Sequence, residues 1–198
     1  NPNMHLRILW EGFGYTFKHF CILSNLLDRA LEENDWYMDI VSTATFPRLG
    51  GKFGKIDLRR EIEKMFPLSN ERIKIVPWTI QNLKDSASNA HFAIIPIDLK
   101  DNFAKFKSEN KLLSMWSLGL PTFVSATPSY TRLLRDADLI NFSVKDNWEV
   151  IFSKEHLISQ LSQTPEIKFN RYLNNHHNSR GIVDSWNNVL EMNLNEVC

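Results

Sequence analysis

The 198-residue sequence predicts a doubly wound α/β domain, three layers (α/β/α) around a mainly parallel six-stranded sheet, with extra helices at the C-terminus. Three observations predict it. Short apolar runs alternate with segments of helical periodicity six times along the chain. One run, residues 92–97, is continuously apolar, as suits a central parallel strand covered on both faces. No repeat, low-complexity segment or linker divides the chain, so residues 1–198 read as one domain.

The elements follow in order. Residues 6–10 form the first strand, closed by Glu11-Gly12-Phe13-Gly14. A helix runs from there to about residue 33, with Phe17, Phe20, Leu23, Leu27, Ala30 and Leu31 at helical spacing. Residues 36–42 are the second strand, followed by a loop over 46–55 that is rich in glycine and basic residues. Residues 57–66 are a helix stopped by Pro67. The third strand is 72–76, and Ile80, Leu83 and Ala87 mark the next helix. After the apolar strand, residues 111–118 are helical, entered through Ser108 as the N-cap and ended by Gly119 and Pro121. Residues 122–125 are the fifth strand, 128–135 a helix with proline in its first turn, and 139–143 the sixth strand. The remainder is helical over 147–163, 166–177 and 180–194.

Composition excludes several classes. With 43% hydrophobic and 12% aromatic residues the chain can bury enough apolar surface to fold. Lys plus Arg number 23 and Asp plus Glu number 23, so neither a nucleic-acid binder's basic excess nor a polybasic membrane anchor is present. No apolar run approaches the roughly 20 residues of a membrane span, so no transmembrane segment is expected. No signal-peptide pattern opens the chain. Cys21 and Cys198 supply neither a disulfide framework nor zinc spacing, which makes a cytoplasmic compartment the expectation.

Ligands of open α/β sheets bind at the carboxyl ends of the strands. After the first strand, Gly12 and Gly14 let the backbone approach a ligand, and the helix that follows carries Lys18. Phe17 stands where a dinucleotide fingerprint needs its third glycine, so an ordinary tight turn is the equal alternative. The loop with Arg48, Gly50, Gly51, Lys52, Gly54 and Lys55 has no Gly-Lys-Ser/Thr and is not a P-loop; it is a solvated loop or a flexible cover over a phosphorylated ligand. Trp78 closes the third strand and either stacks on a base or sugar or belongs to the core. Residues 98–111 hold four lysines against two Asp and one Glu and lead into a helix start. Lysine there opposes the helix dipole by about 0.3–1 kcal/mol. An anionic ligand shared between lysines and backbone N–H groups would reverse the sign, the alternative being a solvated charged loop. The six histidines have no ligand spacing, and no metal site is expected.

The stretch 93–130, AIIPIDLKDNFAKFKSENKLLSMWSLGLPTFVSATPSY, resembles the donor-binding half of a GT-B-fold glycosyltransferase. The matching positions are Pro96, Asn110-Lys111, Gly119, Pro121, Ser125 and Pro128-Ser129-Tyr130, with Val76-Pro77-Trp78 and Ser185-Trp186-Asn187 as looser likenesses. The resemblance implies a Rossmann-like domain that binds a nucleotide-sugar as substrate, with no further cofactor required. It implies that Gly12, Gly14 and Lys18 face the diphosphate, with Trp78, Lys107, Ser108, Glu109, Asn110 and Lys111 as the other donor contacts. Replacing Lys111 by alanine is then expected to cost affinity and not stability. Phe13 stands where the large retaining group has an arginine, and Phe106 and Ser114 stand where it has a glutamate pair, so no catalytic residue is assigned. The resemblance further implies a separate N-terminal acceptor domain, a helix around Trp186 reaching back toward it, and peripheral work at the inner membrane face on a glycan or lipid-linked acceptor. A related nucleotide-sugar epimerase and a non-catalytic nucleotide-binding α/β module are the alternatives. Asp98 lacks the acidic pair that a response regulator would need.

Overall fold

The computed structural model describes residues 5–47, 52 and 54–178. Eight strands occur there: β1 (Arg7–Glu11), β2 (Tyr37–Ser42), β3 (Thr45–Pro47), β4 (Lys55–Asp57), β5 (Ile73–Pro77), β6 (Phe92–Ile95), β7 (Thr122–Ser125) and β8 (Ser143–Val144). Six of them form one sheet in the order β5-β2-β1-β6-β7-β8, and every pairing within it is parallel. β1 and β2 pair in register from Arg7 opposite Tyr37 to Glu11 opposite Val41. The chain builds outward from β1 through β2 to β5, then returns to the other side of β1 with β6. A crevice therefore opens at the carboxyl ends of β1 and β6, where the winding reverses.

The helices are α1 (Ser24–Glu33), α2 (Leu58–Met65), α3 (Ile80–Asn89), α4 (Asn110–Ser117), α5 (Pro128–Asp136), α6 (Trp148–Ile151), α7 (Lys154–Leu161) and α8 (Pro165–His176). Three of them have side-chain caps. Asp57 accepts from the N–H groups of Arg59 and Arg60, Thr79 from that of Asn82, and Thr127 from that of Tyr130. None of the helices among the described residues is long and apolar enough to cross a membrane.

The sheet stands as expected, and the departures are local. The helix expected after Gly14 is two pieces, a 3₁₀ segment Gly14–Ile22 and then α1, divided at Leu23. A 3₁₀ turn aligns side chains three apart. This one sets Phe17 and Phe20 together against Trp10, with ring centroids 6.0 and 5.4 Å away. The loop expected over 46–55 contains strands: β3 and β4 pair antiparallel, with Phe46 opposite Ile56. The sixth strand is shorter than expected, because a 3₁₀ turn Ile140–Phe142 stacks Phe142 on Phe123 (4.7 Å) before β8 begins. The helix expected over 147–163 is broken at Phe152 and Ser153 into α6 and α7. The helix expected over 180–194, and Trp186 with it, lies outside the described residues, as do Arg48, Gly50 and Gly51.

One C-terminal helix has a defined dock. α8 packs on α4 through Trp116, which is 1% exposed and stacks on Phe169 at 5.7 Å. Tyr172 meets the same indole edge-on at 5.9 Å. The amphipathic α4 thus has its back face fixed by α8, while its first turn opens on the crevice.

Candidate functional site

A cleft of about 290 Å³ occupies the crevice. Its floor is Trp10 from β1 and Ile95, Pro96 and Ile97 at the end of β6. One wall comes from the 3₁₀ segment and the turn before it, with Phe13, Tyr15, Thr16 and His19. The opposite wall is Lys107, Ser108, Asn110 and Lys111 at the start of α4, and Tyr130 from α5. No Asp or Glu is among these lining residues, whereas two lysines are. No cluster of three or more His, Cys, Asp or Glu able to hold a metal ion occurs among the described residues.

The first turn of α4 has no side-chain cap, which is a correction to the expected role of Ser108. Glu109 occupies the N-cap position, and its carboxylate is drawn away to Arg132 at 2.6 Å. Ser108 instead forms cleft wall. The leading N–H groups of α4 are thus free to meet an acceptor, and the positive end of the helix dipole faces the cleft. Ser129 fixes the approach to this turn by donating its hydroxyl to the Lys107 carbonyl at 2.6 Å.

The two cleft lysines differ. Lys111 is committed to the protein: Nζ donates to the Glu11 carbonyl at 2.7 Å, stands 4.0 Å from the Glu11 carboxylate, and lies 5.3 Å from the centre of the Trp10 ring. Burial lowers its pKa below the usual lysine range. Lys111→Ala is accordingly expected to cost about 1–3 kcal/mol of stability, because a charged hydrogen bond and a buried stem are lost. Urea unfolding checks this, and an unchanged midpoint would refute the clamp. Lys107 is exposed, its ammonium 5.8 Å from the centre of the Tyr15 ring.

Both glycines of the first turn are demanded by protein atoms. A Cβ on Gly12 would stand 2.7 Å from Lys111 Nζ and 2.8 Å from the Trp10 ring. One on Gly14 would stand 2.2 Å from the Phe46 ring of β3. Lys18 lies outside the cleft lining and pairs with Asp101 at 2.8 Å, which also accepts from the N–H groups of Phe103 and Ala104. The Lys18 hydrogen bond holds the Asp101 carboxyl well below the usual carboxylate range. Trp78 is half exposed, its indole N–H donating to Glu11 at 2.9 Å. Of the nine residues named from sequence, Lys107, Ser108, Asn110 and Lys111 line the cleft, while Gly12, Gly14, Lys18, Trp78 and Glu109 do not.

Sequence reading missed Tyr130 and His19 as cleft residues. Tyr130 sits just past the carboxyl end of β7, the region where open α/β sheets bind ligands, so its position was a usable signal. His19 carried none. It is 4% exposed, and Nδ1 accepts a long 3.4 Å contact from the Asp98 N–H. Burial first, then the charge of Lys18, lowers its pKa. Burial likewise lowers that of His91, whose Nδ1 accepts from the Arg7 N–H at 3.0 Å. Both folded-state values lie below the ordinary one, so the unfolded chain binds more protons on acidification. The stability these rings contribute is present above about pH 6.5 and is lost as pH falls through their folded values. Melting temperature is expected to fall between pH 7 and pH 5, and a His19→Gln/His91→Gln variant should show a flatter profile. An identical slope in both proteins would refute it.

No protein-family model matches the chain, and no characterised protein matches it by sequence. Solved structures match it by fold. The crystal structure of WaaG, a glycosyltransferase involved in lipopolysaccharide biosynthesis, superposes with a TM-score of 0.55 and 12% identity, over 89% of this chain and 44% of that one. A Thermobaculum terrenum O-GlcNAc transferase variant superposes with a TM-score of 0.58 and 11% identity, over 93% of this chain and 35% of that one. The chain has the Rossmann-like fold of a GT-B glycosyltransferase domain. It spans less than half the length of either protein.

Proposed function

We propose that this chain is the donor-binding domain of a glycosyltransferase and that its cleft holds the diphosphate of a nucleotide-sugar. The observation that carries the reading is the chemistry of the cleft. A wall free of carboxylates, two lysines and an uncapped helix N-terminus meet where the sheet reverses its winding. A diphosphate there would accept from the first-turn N–H groups of α4, with Lys107 supplying the mobile countercharge. As the sugar leaves, negative charge grows on the nucleoside diphosphate, and donors already aimed at that position lower the barrier without reorganising. Lys111, held against Glu11, keeps the α4 start fixed on the end of β1.

The acceptor, a glycan or a lipid-linked glycan, would be held by a separate N-terminal domain, in keeping with a chain that spans under half of its structural neighbours. Work at the inner face of a membrane would then be a property of that domain. Calorimetric titration with UDP, GDP, ADP and their sugar conjugates is the test. Saturable binding of one nucleotide series is expected, and a folded protein that binds none of them refutes the reading.

A further inference from the structure

Tyr130 is 2% exposed and lies in the wall of the cleft. Its backbone is fixed: Pro128 opens α5, and the Tyr130 N–H donates to Thr127 Oγ1 at 3.3 Å. Its phenol hydroxyl has no hydrogen-bond partner among the described residues, although Thr131, one position on, has Ser143. The side-chain atoms that are both fully enclosed and unpaired among the described residues are Trp36 Nε1, Ser42 Oγ and Gln160 Oε1. The Tyr130 oxygen is not one of these, so it reaches the open cleft. A hydroxyl held in a fixed ring at the cleft surface, and not engaged by the described residues, is available to whatever enters the cleft.

The surroundings say which kind of partner. Burial first, then the negative charges of Glu109 and Glu11, push the phenol pKa far above its usual value, so the hydroxyl stays protonated and can donate. The uncapped first turn of α4 forms the same wall, and the lining holds lysines and no carboxylate. The α4 N–H groups, the lysines and the phenol suit an anionic oxygen, while the nearby carboxylates are engaged elsewhere, Glu109 by Arg132 and Glu11 by the Trp78 indole and Lys111.

We propose that the Tyr130 hydroxyl donates a hydrogen bond to a phosphoryl oxygen of the ligand, completing the donor set begun by the N–H groups of α4. Tyr130 is on this view a specificity-determining residue for phosphorylated ligands, and the inference rests on reading the cleft as a nucleoside-diphosphate site. The hydroxyl makes no hydrogen bond among the described residues, so it is available to the bound ligand.

Tyr130→Phe tests this, since the ring that fills the wall is retained. Its melting temperature should equal or exceed that of the parent. Affinity for whichever of UDP, GDP or ADP binds the parent should fall about tenfold to a hundredfold, the worth of a hydrogen bond to a charged group. Affinity for the uncharged nucleoside should not change. Equal diphosphate affinity in parent and variant overturns the role of Tyr130 and leaves the cleft reading intact. An equal loss for nucleoside and diphosphate overturns the phosphoryl contact. A melting temperature lowered by several degrees shows a structural hydroxyl and overturns it as well. If the parent binds no nucleoside diphosphate, both the inference and the reading beneath it fall.

Discussion

Replacing Trp116 by alanine is expected to remove about 3–5 kcal/mol of stability, the usual cost of truncating a buried tryptophan. Trp116 is 1% exposed and lies between α4 and α8, stacked on Phe169 and met edge-on by Tyr172. Phe169 is itself fully buried, so the cavity left behind cannot close by a surface side chain swinging in. Set against a domain stability of about 5–15 kcal/mol, such a loss brings the protein near its midpoint. The damage should be ordered in space. Amides of α8 and the second half of α4 should lose hydrogen-exchange protection first, while β1 and β2 hold theirs. Ligand binding should weaken with it, because α8 supports the back of the helix whose first turn faces the cleft. Urea unfolding with exchange mass spectrometry measures both parts. A loss below about 1.5 kcal/mol, or protection lost evenly over the sheet, would show that α8 is not fastened through this residue.

Lys107→Glu should lower nucleoside-diphosphate affinity on the order of a hundredfold, while changing stability by no more than about 0.5 kcal/mol. The side chain is exposed and forms no ion pair among the described residues, so the fold has little to lose. Its ammonium lies by the Tyr15 ring, a cation–π contact of about 0.5–1 kcal/mol at an exposed site. The bound state loses a charge-assisted contact and gains a like-charge clash at the uncapped start of α4. The parent's affinity should also fall with added salt, and that dependence should shrink in the variant. Affinity within threefold of the parent, in a folded variant, would place the ligand's phosphates elsewhere. Lys107→Glu and Lys111→Ala thus separate two lysines that look alike in sequence, since the first should spare stability and the second should not.

Much of the frame was legible because it rests on local chemistry. Pro67 after α2, Pro128 in the first turn of α5 and Gly119 past α4 are short-range signals, and the structure uses each where it stands, Gly119 at φ +80°. Apolar runs of four to six residues became parallel strands because both faces of this sheet are covered. The 3₁₀ segment before α1 and the β3–β4 hairpin escaped. Trp10 sets the first and Gly14 accommodates the second, and each partner lies on another element.

The candidate site divides the same way. Sequence by itself determined the order of the main-sheet strands and most helices along the chain, and the basic character of residues 98–111. Only the tertiary structure decided which of those charges are paired within the protein and which stay exposed. Lys18 is spent on Asp101, 83 positions away, and Lys111 on the Glu11 carbonyl, 100 positions away. Lys107 is left exposed, and Tyr130 lines the same cleft. Helical and strand periods act over a few residues and can be read along the chain. Ion pairing and cavity shape act over a few ångströms, whatever the separation in sequence, and exist only once the chain has closed on itself.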